Sequence, residues 1–145
     1  MNLKDLLGAF SQGKTNAKSH MKNLIEMAAV DGSFDEVEYD LLKSIAKRNG
    51  ISEGQLKEIR KNPNNIKFEV PTDANEKFHQ LYDLVHMMSI DKNVHSEEMK
   101  LSHFFAVKFG YNRDRVKELV DTIQSNIHHG QSHTEAMKRV TLLIS

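Results

Sequence analysis

The chain has 145 residues, with 20 Lys and Arg against 20 Asp and Glu, eight His and no Cys. This length indicates one domain that can bury a sizeable core, and the lack of Cys excludes disulfides, thiolate metal sites and a thiol nucleophile. Zero net charge argues against a nucleic-acid interface or a polybasic membrane surface, and we expect neither a signal peptide nor a membrane span, because no apolar run is long enough.

Helix-favouring residues, with apolar positions about 3.6 residues apart, run through almost the whole chain, and no segment has the pattern of a strand. One predicted helix, over about 35–48, ends before Gly50, a usual left-handed helix stop. Residues 62–71 are the predicted irregular connection between two halves. We predict a single all-α domain over 1–145 with about eight helices, at 3–10, 21–29, 35–48, a short one after 52, 72–90, 95–109, one after 112 and one after 132.

Polar residues at the start of several helices are typical N-caps. Ser52 is followed three residues later by Gln55, which is the pattern of a capping box, and Ser132 is followed by Glu135 in the same way. The other predicted N-caps are Thr72 and Asn112.

The sequence repeats itself at a distance of 60 residues. Residues 24–59 align with 84–119 without a gap, and nine of these 36 pairs are identical, against about two expected by chance. Each unit is predicted to contain a helix, a turn, a second helix, a glycine stop and a shorter helix. The informative identities are two pairs of acids, because neither packing nor helix termination requires a carboxylate, and these pairs are Asp31 with Asp91 and Glu38 with Glu98.

Both repeated turns, 31–38 and 91–98, are rich in oxygen-bearing side chains, which a hard cation requires. The first turn matches the second half of a calcium-binding EF-hand loop. The first half does not match, because Met27 and Ala29 occupy two positions that normally carry carboxylates, so an ordinary EF-hand is excluded. Weak or shared divalent-cation binding stays open, and the candidate ligands are Asp31, Asp35, Glu38, Asp91 and Glu98, followed by Glu36 and His95.

The alternative interpretation of these acids needs no metal. Asp31 before Gly32 is a common turn pair, and Ser33 with Glu36 has the spacing of a capping box. Acids in the first turn of a helix are also favoured by the positive end of its dipole.

The segment Met-Ala-Ala-Val-Asp-Gly at 27–32, followed by Glu38 and by a helix with Leu41, Leu42 and Ala46, resembles the TerB-like family, which is named for tellurite resistance. The pattern is repeated after Asp91, and the resemblance covers about 24–120. It implies an all-helical duplicated fold, a bacterial cytoplasmic protein and a link to tellurite or general stress resistance, with no established enzyme activity. Lys92, in place of the second Gly, departs from the family pattern.

From these observations we expect a non-enzymatic binding protein that acts on a protein partner, with monomer and homodimer both open. The resemblance implies a metal or partner surface at Asp31, Glu38, Asp91 and Glu98. The expected partner surface consists of Asp31, Glu36, Glu38, Asp91, Glu97 and Glu98. The first alternative is a divalent-cation sensor or buffer that uses the same turns.

A second alternative is a helical di-metal enzyme, because Glu76 and His79 form one Glu-x-x-His motif. The related Asp83 and His86 lie on the same predicted helix and do not supply the second helix that such a site requires. Along this helix the predicted buried stripe is Phe78, Leu81, Tyr82, Val85 and Met88, which leaves His79, Asp83 and His86 on a solvated face.

Two further groups have more than one interpretation. His128, His129 and His133 surround Gly130, and we interpret them as a polar turn between helices, with an adventitious transition-metal site as the alternative. The methionines near the acidic turns are core residues or line an adaptable partner groove, and they are Met27, Met87 and Met88.

Overall fold

A computed structural model describes residues 3–30, 36–90 and 96–144, with side chains over 16–30, 36–90, 96–132 and 134–141. Within these ranges all regular secondary structure is helical, as the composition predicts. Seven α-helices are described, and they are α1 (Leu3–Ala29), α2 (Glu36–Arg48), α3 (Glu53–Lys61), α4 (Ala74–Ser89), α5 (Ser96–Lys108), α6 (Val116–His128) and α7 (His133–Ile144). Single turns of 3-10 helix precede α4 and α6, at Pro63–Asn65 and Arg113–Arg115.

The first helix corrects the expected number of helices from eight to seven over the described ranges. The two helices predicted at 3–10 and about 21–29 are parts of one 27-residue helix, α1. Each internal Gly costs a helix only about 1 kcal/mol, and α1 packs against α2, α3, α4 and α5. Tertiary contacts therefore outweigh the weak helix propensity of the linking residues.

Most predicted helix starts are confirmed. Ser52 and Gln55 form the complete capping box of α3, with Gln55 N donating to Ser52 Oγ at 3.1 Å and Ser52 N donating to Gln55 Oε1 at 2.9 Å. At the start of α7, Ser132 Oγ accepts from Glu135 N at 3.3 Å. Asn112 caps the 3-10 turn Arg113–Arg115 that leads into α6, and its Oδ1 accepts from Asp114 N at 2.9 Å. The N-cap of α6 itself is Arg115, which makes no side-chain cap.

The predicted cap of α4 is wrong by one residue. Asp73, not Thr72, is the N-cap, and its Oδ1 accepts from Asn75 N at 2.7 Å and from Glu76 N at 3.5 Å. An ionised carboxylate accepts from helical N–H groups more strongly than a hydroxyl does, and it also interacts with the positive end of the helix. The start of α4 is therefore set by the stronger of two adjacent cap residues.

Three glycines end helices in the left-handed conformation. Gly50, Gly110 and Gly130 have φ angles of 73°, 97° and 69°. After each glycine, the next N–H reaches back to a carbonyl in the last turn of the helix, for example Ile51 N to Ala46 O at 2.8 Å. This is the Schellman arrangement, which satisfies carbonyls that the helix itself leaves unbonded. The prediction that Gly130 separates the last two helices is confirmed.

Helix α4 lies at the centre of the molecule and contacts α1, α2, α5, α6 and α7. The predicted buried stripe is confirmed, since Phe78, Leu81, Tyr82, Val85 and Met88 are all buried. All seven helices contribute side chains to one hydrophobic core, from Ala17 on α1 to Val140 on α7.

The three methionines near the acidic turns belong to this core. Met27, Met87 and Met88 are at most 1 % exposed, so the alternative that they line a partner groove is wrong. Met fills irregular spaces between helices because its side chain is unbranched and flexible. No helix in the described ranges has the length and apolarity required to cross a bilayer.

Candidate functional site

The acids of the two repeated turns fall into two groups. Asp31, Asp35, Asp91 and His95 lie outside the described residues. The remaining acids are in the first turns of two helices, with Glu36 and Glu38 on α2 and Glu97 and Glu98 on α5. The described part of the site is therefore the beginning of each of these helices.

Glu38 and Glu98 occupy the same place in their helices, since each is the third residue, and each is only 2 % exposed. Burying a carboxylate is costly unless charges or hydrogen-bond donors surround it. The N–H groups and the positive dipole of a first helical turn provide such an environment. Both side chains are therefore held inside the protein, where they can accept hydrogen bonds or contribute oxygen to a cation.

The neighbouring acids are oriented towards solvent. Glu36 and Glu97 are exposed, and Glu97 forms an ion pair with Lys100 over 3.4 Å. Exposed pairs of this kind contribute at most about 1 kcal/mol, so Glu97 can exchange Lys100 for another partner. Of the expected partner surface, these two acids are the described members that another protein can reach directly.

The metal-enzyme motif is not completed within the described ranges. Glu76 and His79 are both exposed and line a pocket with Arg48. Among the described residues, no three side chains of His, Cys, Asp or Glu are grouped to hold a metal ion. A di-metal carboxylate site requires ligands from several helices directed at one centre, and the guanidinium of Arg48 is unfavourable beside a cation.

The predicted solvated face of α4 is partly wrong, because Asp83 is 2 % exposed. A single oxygen, Asp83 Oδ2, accepts from His20 Nε2 of α1 at 2.9 Å and from Arg48 Nη2 at the end of α2 at 2.6 Å. His20 itself is 1 % exposed. Asp83 thus joins three helices through charge-assisted hydrogen bonds, which are shorter and stronger than neutral ones.

The environment of Asp83 favours its charged form. Burial raises the pKa of this carboxyl, but hydrogen bonds and charges from His20 and Arg48 outweigh burial and hold the pKa below its usual value. Asp83 is consequently an anion whenever the protein is near neutral pH. Its charge also helps to raise the pKa of the adjacent Tyr82, although burial is the larger cause there.

His86 lies one helical turn beyond Asp83 and is partly buried against the ring of Tyr82, with centroids 6.2 Å apart. Burial lowers the pKa of His86, the charge of Asp83 raises it, and the charge of Arg48 lowers it further. The net direction is downward, so the folded protein favours the neutral imidazole. Of the three residues predicted to be solvated, only His79 is exposed.

A polar pocket of about 240 Å³ adjoins this network. Its lining residues come from three helices and one helix end, and they are His20, Arg48, Asn49, Asn75, Glu76, His79, Gln80 and Asp83. Both signs of charge are present, and the volume is below that of most drug-sized ligand sites. The pocket has room for water or a small polar molecule.

The sequence pattern does not predict this network because its members are far apart in the chain. Arg48 is 28 positions from His20, and Asp83 is 63 positions from His20. One signal was present. Asp83 stands between Tyr82 and Leu84 in a run of apolar residues, and an acid in such a run requires a charged or hydrogen-bonding partner when the helix is buried.

The histidines near Gly130 form a polar turn between α6 and α7, as interpreted from the sequence. His128 is the last residue of α6 and His133 is the first of α7. His129 Nδ1 lies 2.7 Å from Ser125 O, to which it donates. The imidazole thus adds a second hydrogen bond to a carbonyl that already accepts from His129 N at 3.1 Å.

Comparison of the chain with protein-family models, with curated proteins and with solved structures gives no match.

Proposed function

We propose that the chain is a non-enzymatic helical binding protein of the TerB-like type, which binds a protein partner through the acidic starts of α2 and α5. The observation that carries this proposal is the matched pair of helix starts, each with a carboxylate buried at its third residue, Glu38 or Glu98. The link to tellurite or general stress resistance and the bacterial cytoplasmic setting are part of the same proposal.

The helix boundaries support an internal duplication. Helices α1 and α4 end at Ala29 and Ser89, and α2 and α5 cover Glu36–Arg48 and Ser96–Lys108. Each of these boundaries differs from its counterpart by 60 residues, which is the distance between the repeated sequence segments. At the third position of a helix a neutral Gln can close a capping box as well as Glu can, so retention of an acid at both third positions favours a shared role for the charge.

The two kinds of acid are assigned different tasks in this proposal. Glu38 and Glu98 are buried in the first turns of α2 and α5, where a partner has no access. Glu36 and Glu97 are exposed beside them and present negative charge to the partner. Asp31 and Asp91 are assigned to the same surface from the sequence alone. Such a surface favours a partner with a basic patch, because complementary charges speed encounter and fix orientation.

The test is affinity purification from cells that express the tagged chain, followed by mass spectrometry. The variant carries Asp31→Asn, Glu36→Gln, Asp91→Asn and Glu97→Gln. We expect it to keep its helical circular dichroism spectrum and to lose the protein captured by the native chain. It should also fail to restore tellurite or oxidative-stress survival to a strain that lacks the gene.

The matched control is Glu53→Gln with Glu118→Gln, which removes exposed acids from the first turns of α3 and α6. This control should capture the same protein as the native chain. Equal capture by the four-site variant and the control would overturn the assignment of the binding surface.

The burial of Glu38 and Glu98 also favours a second candidate, a divalent-cation sensor or buffer. Each side chain is at the last position of its turn, where the closing Glu of an EF-hand loop supplies two oxygens. A cation that binds only the folded state raises the melting temperature. Metal-stripped protein should therefore melt several degrees higher with Ca²⁺ or Mg²⁺, and Glu38→Gln with Glu98→Gln should abolish that rise. No shift with either ion would refute this candidate.

A further inference from the structure

A groove of about 350 Å³ lies between α5 and the start of α6. Its lining combines an apolar centre with a basic rim, and the residues are Lys100, His103, Phe104, Val107, Arg113, Val116 and Lys117. None of these lining residues, all in the described part of the chain, is an acid. A local excess of positive charge is notable because the whole chain has equal numbers of basic and acidic residues.

The apolar centre contains an exposed aromatic ring. Phe104 is 54 % exposed, which makes it the most exposed large apolar side chain in the described ranges. Its ring packs edge-on against Phe105 with centroids 5.9 Å apart, and Lys108 Nζ lies 5.6 Å from its centroid. Phe104 therefore contributes a partly packed aromatic ring to the lining of the groove.

A second groove in the same molecule provides a comparison. It lies between α2 and α3, has a volume of about 420 Å³, and its lining includes Lys43, Lys47, Glu53 and Leu56. Positions shifted by 60 residues are occupied differently in the two halves of the chain. Arg113 corresponds to Glu53, which lines the α2–α3 groove. Lys100 and Phe104 correspond to Asp40 and Ser44, which lie on α2 outside the lining of that groove.

Relative to the first repeat, the second repeat thus has a base in place of an acid at two positions and Phe in place of Ser at a third. The helices form with either set of side chains. Packing does not require these differences, because Lys100, Phe104 and Arg113 are exposed. An exposed aromatic ring within a basic rim is the composition of a binding surface, since aromatic residues and Arg are enriched where proteins contact each other.

We propose that this α5–α6 groove binds an acidic amphipathic segment of another protein. An apolar anchor of that segment, such as Leu or Phe, packs on Phe104, Val107 and Val116. Its carboxylates pair with Lys100, Arg113 and Lys117, all of which are exposed. The present partner of Lys100 is Glu97 at 3.4 Å, and such a surface pair is weak enough to be exchanged.

The test uses the full chain and a random peptide library displayed on phage. Peptides that the native chain retains are passed over a variant with Lys100→Asp, Phe104→Ser and Arg113→Glu, which has at these positions the kinds of residue found 60 positions earlier on α2 and α3. Peptides that bind the native chain but are not retained by the variant should be enriched in Asp and Glu around one apolar residue. A pool without acid enrichment, or one that binds both proteins, would overturn the proposal.

The strongest peptide is then labelled and its binding measured by fluorescence anisotropy. We expect the triple variant to weaken binding by about tenfold or more, because a buried aromatic anchor and its charged rim carry most of the affinity. Added salt should weaken binding to the native chain, since exposed charges are screened. The control Lys43→Asp with Lys47→Glu, in the other groove, should change binding by less than about twofold.

Two further measurements separate this proposal from its rivals. Glu36→Gln removes a charge from the acidic partner surface without changing the ion pair of Lys100, and it should leave peptide binding intact. The proposed function and the proposed groove can therefore fail independently of each other. Light scattering over a range of concentrations gives the oligomeric state. A dimer that is lost only in the triple variant would make a second copy of the chain the occupant, and it would overturn the proposed acidic segment.

Discussion

Asp83 carries a negative charge into the interior of α4, and its two partners come from other helices. His20 on α1 and Arg48 at the end of α2 both bind Asp83 Oδ2. In the described ranges the other nitrogen of His20, Nδ1, has no hydrogen-bond partner. Asp83 is therefore the one hydrogen-bond partner of the His20 ring among the described residues, and its carboxylate contributes a polar contact to the otherwise apolar interface between α1 and α4.

Removal of Asp83 should be strongly destabilising. We expect Asp83→Ala to lower the free energy of unfolding by about 3–5 kcal/mol, because it leaves a buried imidazole without its partner. Urea denaturation followed by circular dichroism measures this loss. Asp121→Ala, which removes an exposed acid from α6, is the control and should change stability by less than about 0.5 kcal/mol. Similar values for both variants would contradict the structural role of Asp83.

His86 should make the protein less stable in mild acid. The pKa of His86 is lowered in the folded state. As pH falls below about 6.5, the unfolded chain therefore takes up a proton at His86 before the folded chain does. Stability is therefore highest above this pH and decreases as pH falls towards the lowered pKa.

The measurement is urea denaturation at about pH 7.5 and about pH 5. His86→Gln should lose less stability than the native chain between these two conditions. His128→Gln alters an exposed histidine at the end of α6 and should keep the full pH dependence. If His86→Gln also keeps it, burial of His86 does not govern this part of the pH response.

The helix ends depend on a few residues whose conformation is demanding. Gly110 has a φ of 97°, and a Cβ added there would meet no atom within 4 Å. A substitution at this position is therefore unfavourable for reasons of backbone conformation alone.

Gly110→Ala should lower the free energy of unfolding by about 1–2 kcal/mol. Gly54 is the matched control, since it lies inside α3 and a Cβ added there would have only Ser52 Oγ nearby, at 4.0 Å. Gly54→Ala should stabilise the protein by up to about 1 kcal/mol. Thermal denaturation of both variants shows whether each substitution raises or lowers stability. A loss of stability at both positions would contradict the explanation for Gly110.

Helix α4 differs from the other helices because it contacts five of them and is buried on most sides. The apolar pattern predicted one buried stripe, but Gln80, Asp83, Leu84, Met87 and Ser89 are buried as well. Helical periodicity separates the two faces of a surface helix, and it fails when neighbours cover the helix all round. The sequence pattern therefore predicted a solvated face on α4, although neighbouring helices cover Asp83 and partly cover His86.

The whole molecule has one hydrophobic core to which all seven described helices contribute. Unfolding should therefore be a single cooperative transition. Circular dichroism and tyrosine fluorescence should give coincident thermal transitions, because Tyr39, Tyr82 and Tyr111 lie in different parts of this fold. Two separate transitions would indicate that the halves before and after residues 62–71 unfold independently.

A central core residue should be more important than a peripheral one. Leu84 is fully buried on α4, whereas Leu101 on α5 is only partly buried. Leu84→Ala should lower the free energy of unfolding by about 2–5 kcal/mol, and Leu101→Ala should lower it by less. Equal losses would contradict the central position of α4.

Zero net charge, a property of the whole chain, conceals the local distribution of charge. This total argues against a nucleic-acid or polybasic surface, yet the α5–α6 groove collects three basic residues around an exposed ring. The total is insensitive to position, and acids elsewhere on the surface balance it. The local excess of positive charge arises from the fold, because Lys100 and Arg113 belong to different elements and line the same groove.

Local features of the sequence determined the helical class, the N-caps of α3 and α7, the cap of the 3-10 turn before α6, the glycine stops and the buried stripe of α4. Each depends on residues within a few positions of one another, where helical periodicity and capping chemistry act. Packing of distant helices decided the continuity of α1, the burial of Asp83 and its pairing with His20 and Arg48. It also decided how the α5–α6 groove is lined, because contacts between segments far apart in sequence exist only after the core has formed.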